Sequence, residues 1–224
     1  MTSMPVDGIY DFGSTPVKIS GNVKLVLCAG CGITTSGGVV VANGKTLDVY
    51  SGGSTKYGKN YGYLIVTGAP DGYAGIGGEI GDNNYNSVNI NIHTGFIETH
   101  GGNNASGIGA SRKCNCNLNI YTATVIAYSG LGGAGIGSAV DGSCTVTIKR
   151  YGSSFDPYVD AYATGGGAAI GQASNTKSST KVYIYGSETP FGETKVFATA
   201  AASHDFIYPG TAIGGGTYSK GDLI

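Results

Sequence analysis

Short stretches in which apolar and polar residues alternate recur along the chain, at Val88-Asn89-Ile90-Asn91-Ile92, Leu118-Asn119-Ile120, Val146-Thr147-Ile148 and Val182-Tyr183-Ile184. Each is followed by a second stretch of the same kind, at Ile97-Glu98-Thr99, Val125-Ile126-Ala127, Val159-Asp160-Ala161 and Val196-Phe197-Ala198. A period of two sends successive side chains to opposite faces of a pleat, so these stretches predict strands. Upstream, Val23 to Leu27, Val39 to Val41, Leu47 to Val49 and Leu64 to Val66 predict further strands.

Between the strand pairs a phrase of small residues returns five times. It reads Ala74-Gly75-Ile76-Gly77, Ser106-Gly107-Ile108-Gly109, Ala134-Gly135-Ile136-Gly137, Ala168-Ala169-Ile170-Gly171 and Thr211-Ala212-Ile213-Gly214, with isoleucines 32, 28, 34 and 43 residues apart. Recurrence at that length marks a stacked architecture in which each unit buries its apolar face only against its neighbours. Three short strands per unit, separated by Gly-, Asn- and Ser-rich corners, predict an all-β chain wound as a parallel β-helix, or β-solenoid. The general preference of parallel crossovers makes it right-handed. The glycines of the phrase suit a tight wall where adjacent units approach. A phosphate cradle is not supported, because no Gly-Lys-Ser/Thr element occurs and no helix-forming run follows any copy.

Three segments follow from this pattern. Residues 1–20 are polar, with Pro5 and Pro16, and read as an extended lead-in or cap over the open end of the stack. Residues 21–216 form the repeat domain, and its first part, 21–72, reads as irregular N-terminal capping coils. Residues 217–224 read as a tail without a strand.

Composition narrows the partners. Only 12% of residues are charged and the formal net charge is -1, so no basic stripe is available to neutralise a nucleic-acid backbone. No apolar run reaches the roughly 18 residues of a membrane span. Met1 to Gly21 lacks the basic start and apolar stretch of a secretory leader. The 41 glycines show no three-residue period, which excludes a collagen-like helix.

The order Val23-Lys24-Leu25-Val26-Leu27, Cys28-Ala29-Gly30-Cys31-Gly32-Ile33, Gly37-Gly38-Val39, Gly44-Lys45-Thr46-Leu47, Tyr63-Leu64-Ile65 and then the successive Ala-Gly-Ile-Gly phrases resembles a known repeat family. It is the glycine-rich Gly-Ala-Gly-Ile-Gly-Gly family of bacterial cell-surface and secreted proteins described as carbohydrate-binding-domain-containing. The resemblance runs over roughly residues 21 to 216. It implies an extracellular or cell-surface location and a carbohydrate ligand.

Five cysteines occur, at 28, 31, 114, 116 and 144. Cys28 and Cys31 form a C-x-x-C, the spacing of a redox pair or of half a zinc site. Cys114-Asn115-Cys116 lies several units away, which argues against a four-cysteine metal centre. Cys116 and Cys144 each stand four residues before an equivalent isoleucine. In stacked strands about 4.8 Å apart a disulfide between them is permitted, and so is a stack of reduced thiols.

The outward positions are where function would lie. His100, Tyr128 and Tyr162 share one register and should form a lengthwise row of rings, with Glu98 and Asp160 beside them and Tyr121 and Tyr185 on the preceding strands. The row offers ring faces to sugars and polar groups to their hydroxyls. Alternatively, it only stabilises neighbouring strands. Glu98 and Asp160, two units apart, would be separated by roughly 9.6 Å, at the upper limit for a glycosidase pair, with Ile126 between them. His93, His100 and His204 are the only histidines and no Gly-x-Ser-x-Gly elbow appears. Asn104-Ala105-Ser106 is a formal glycosylation sequon. The expected function is therefore a non-catalytic extracellular adhesion module for carbohydrate or cell-surface glycan, without a cofactor or metal. The alternative is a structural subunit of a filament, fibre or phage tail that self-assembles through its ends and tyrosine-rich faces.

Overall fold

The structure, a computed structural model, describes residues 8–52, 61–81, 86–150, 156–174, 179–186, 193–201 and 210–216, together with the backbone of 222–223. The expectations for residues 1–7, for His204 and for 217–221 and 224 of the tail lie outside the described residues.

Among the described residues the chain is all-β and contains no helix. Two sheets share the strands. The smaller is built from Val17–Ile19, Val39–Val41, Ile76–Gly78, Ile108–Gly109, Ile136–Gly137, Ile170–Gly171 and Ile213–Gly214. The larger has 12 strands and includes Asn86–His100, Cys114–Tyr128, Ser143–Ile148, Tyr158–Thr164, Thr180–Ile184 and Lys195–Ala201. The chain passes from one sheet to the other and back, and each pass adds a parallel strand beside the one before.

Register turns the sequence repeat into columns. Val17, Val39, Ile76, Ile108, Ile136, Ile170 and Ile213 are successive partners across the small sheet. Tyr10, Ile33, Leu64, Ile97, Val125, Val159 and Val196 form a second column in the large sheet. Val23, Leu47, Ile90, Leu118, Val146 and Val182 form a third. In the middle of each column the side chains have no solvent exposure. Full burial of such a side chain is worth about 1.5–3 kcal/mol, so these columns are the main stabilising feature.

The glycine following each isoleucine sets the closeness of the passes. Gly109, Gly137, Gly171 and Gly214 have φ of 132°, 135°, 141° and 123°, a backbone region that L side chains rarely adopt. A Cβ on Gly137 would run into the carbonyl of Gly171 in the next pass. Elsewhere Gly78 leaves the space that the sulfur of Cys114 occupies.

The structure departs from the sequence reading in three places. Asn86–His100 and Cys114–Tyr128 are each one continuous strand of 15 residues, where two strands and a corner were expected. The chain bends at Gly95, with φ 114°, and the inward-outward alternation slips by one residue at His93-Thr94 while pairing with the next strand continues on both sides. The lead-in supplies Ile9–Asp11 and Val17–Ile19, which pair with Gly32–Thr35 and Val39–Val41 and so belong to the two sheets. In the tail, Asp222–Leu223 is a strand paired with Lys181 and Val182. Two residues are too few to carry an alternation signal.

Candidate functional site

The outward side of the large sheet carries most of the patterned polar and aromatic residues. Asn86–His100 and Cys114–Tyr128 pair in register along nearly their whole length, so each outward residue of one stands beside its counterpart. A chain of amides results. Asn119 Nδ2 donates to Asn91 Oδ1 at 2.8 Å, and Asn91 Nδ2 donates to Asp48 Oδ1 at 3.0 Å. In parallel, Asn117 Nδ2 donates to Asn89 Oδ1 at 3.0 Å, and Asn89 Nδ2 reaches Thr46 Oγ1 at 3.4 Å.

Two columns of rings follow these amides along the strands. In the first, Tyr128 lies between His100, with centroids 4.4 Å apart and planes at 17°, and Tyr162, at 4.8 Å and 10°. Glu98 and Asp160 are both register partners of Ile126. His100 Nε2 lies 3.4 Å from Glu98 Oε1, and the Tyr162 hydroxyl donates to Asp160 Oδ2 at 2.8 Å. Burial, and then the charges of Glu98 and Asp160, push the Tyr128 phenol above its ordinary value. The Tyr162 phenol is raised first by its hydrogen bond to Asp160.

The second column was not foreseen. His93 lies between Tyr50, at 4.1 Å and 5°, and Tyr121, at 5.0 Å and 19°. Its Nε2 is 3.0 Å from Asp48 Oδ1, and Lys149 Nζ sits 5.6 Å above the far face of Tyr121. The sequence signal was available, since Leu47-Asp48-Val49-Tyr50 repeats the apolar, polar, apolar, aromatic order of Ile90-Asn91-Ile92-His93. Tyr185 follows Lys149 in this register and is 51% exposed.

The expected site residues thus fall into two groups. His100, Tyr128, Tyr162, Glu98 and Asp160 are together, whereas Tyr121 and Tyr185 belong with Tyr50 and His93 on the other side of the bend at Gly95. The stacking also alters what the rings offer. A ring held between two others at 4–5 Å has both faces covered, so Tyr128 and His93 present edges rather than the faces expected to seat a sugar.

Cys116 and Cys144 are register partners, each 3% exposed, and are free thiols; the permitted disulfide is not formed. The hydrogen bond with Cys144, and then burial, raise the Cys116 thiol well above its ordinary value. Burial pushes Cys114 up to about 12. Both are therefore held protonated and pack as small apolar groups. Cys28 is exposed, and Cys31 N–H donates to Cys28 O at 3.1 Å across the turn. Among the described residues no three His, Cys, Asp or Glu side chains gather as a metal site, and no helix is long and apolar enough to cross a membrane.

Compared with family models, curated proteins and solved structures, the chain matches none.

Proposed function

We propose that the chain closes into a right-handed parallel β-helix with irregular first coils, and that it acts outside the cell as a non-catalytic binding module for carbohydrate or cell-surface glycan. The observation that carries this reading is the register-matched array on the outward face. Glu98, Asp160 and the Tyr128 and Tyr162 hydroxyls line one side of the bend, and the Asn117 and Asn119 amides the other. Such an array holds donors and acceptors at the spacing of stacked strands, about 4.8 Å. A ligand rich in hydroxyls can match it group for group, and the ring edges supply apolar rim between the polar rows. Glu98 and Asp160 each lean on a neighbouring ring, an arrangement suited to holding a hydroxyl rather than to delivering a proton.

The test is a glycan array read with the wild-type chain, Glu98→Gln and Asp160→Asn. Binding that weakens about tenfold in either variant, the effect of losing one charged hydrogen bond worth roughly 1.5 kcal/mol, supports the reading. Binding to no glycan, or binding unchanged in both variants, removes it. Release of reducing sugar that depends on Glu98 would replace it with catalysis.

A further inference from the structure

We propose that the two ends of the stack are complementary and join head to tail, so that the partner of each end is a second copy of this chain. The inference is independent of the glycan reading, because it uses only the columns and their terminal residues.

Inward apolar side chains are completely buried in the middle of the columns and become partly exposed at the extremities. The partly buried apolar residues that pack against the core are Tyr10, Val17, Val23 and Leu25 at one end, and Val196, Ala198, Ala200 and Ile213 at the other. Their counterparts one pass inward, Val159, Ala161, Ala163 and Ile170, are at most 2% exposed. Each end also carries the outer edges of both sheets: Ile9–Asp11 and Val17–Ile19 at the first, Lys195–Ala201 and Ile213–Gly214 at the second. Strand edges beside a partly exposed apolar core recruit another strand.

What selects a second copy is that the two ends fit each other in two respects. First, all the strands at both ends run parallel to their neighbours, so stacking one copy on the next continues the hydrogen-bond pattern without reversing direction. Second, the same columns reach both ends. Tyr10 of one copy extends the column that reaches Val196 of the other, and Val17 extends the one that reaches Ile213. An unlike-ends contact of this kind does not close on itself, and repetition gives a filament.

The register makes the test specific. It places Asp11 of one copy beside Phe197 of the next, and both are exposed outward positions whose replacement spares the core. In a Cys28→Ser background, Asp11→Cys and Phe197→Cys chains are treated with a short bis-maleimide, separately and mixed. The expected result is cross-linked dimer in the mixture and none in either chain alone. Dimer from a single variant would mean like ends meet, and absence of dimer from the mixture would mean that the ends do not meet; either overturns the proposal. Sedimentation of the wild-type chain gives a second, substitution-free reading: species of two or more chains that grow with concentration are expected, and a single-chain mass throughout refutes head-to-tail joining.

Discussion

Tyr128 lies on Tyr162 almost face to face, 4.8 Å between centroids and 10° between planes, while the Tyr162 hydroxyl donates to Asp160 at 2.8 Å. Both phenols are raised above their ordinary value of about 10. A phenol whose folded pKa exceeds its unfolded one contributes stability that is complete below the unfolded value and is lost as pH rises through the folded value. The chain should therefore lose stability only on the alkaline side of about pH 10 through these two groups. Near-ultraviolet titration should show a late-ionising tyrosine fraction that shrinks in Asp160→Ala. A profile identical in the two proteins would mean that the carboxylate does not hold the phenol.

Gly137 has φ 135° and no room for a Cβ against the Gly171 carbonyl. Gly137→Ala should cost about 2 kcal/mol or more, since backbone strain and collision each contribute roughly 1–3 kcal/mol. Gly44 also has a positive φ, 70°, but meets nothing within 4 Å. Gly44→Ala should therefore cost only the conformational term, about 1 kcal/mol. Urea unfolding midpoints for the two variants separate the contributions, and equal midpoints would contradict the close approach.

Ile136 is fully buried between Ile108 and Ile170. Ile136→Ala leaves a cavity in a column whose neighbours are pinned by backbone pairing, and should cost about 2–5 kcal/mol. Ile213→Ala, at a half-exposed end of the same column, should cost less than half as much. The ranking is readable from thermal unfolding, and a reversal would undo the assignment of centre and end.

The five cysteines differ sharply in access. Cys28 is exposed, while Cys31, Cys114, Cys116 and Cys144 are buried, with Cys114 pushed up to about 12. A thiol reagent at neutral pH should modify one cysteine per native chain quickly and the others only after denaturant is added, because the thiolate is the reacting form. Cys28→Ser should abolish the fast phase. Two or more fast thiols in the wild type would show that the core opens.

Much of this arrangement was legible in the sequence because parallel stacking in register is a simple mapping. Equal offsets from an aligned isoleucine place Cys116 beside Cys144 and Tyr128 beside His100 and Tyr162, whatever the corners do. The column through Tyr50 and His93 escaped because Tyr50 precedes the first copy of the small-residue phrase and stands 43 residues before His93, so no aligned isoleucine gives its offset. The bend at Gly95 escaped for another reason: a glycine between two alternating runs signals a corner, and only the backbone pairing on both sides reveals an unbroken strand. The covering of the ring faces depends on side-chain torsions, about which offsets in a sequence carry no information.

The partly exposed apolar ends have one further consequence. Every interior pass is clamped from above and below, so the first and last passes are the cheapest to release, and unravelling should proceed inward from both extremities as a zipper does. Amide deuterium uptake would then record position along the axis. Ile108 and Ile136 would exchange last, Val17 and Ile213 first, and any neighbour docked on an extremity would slow exchange there before it changed anything in the middle.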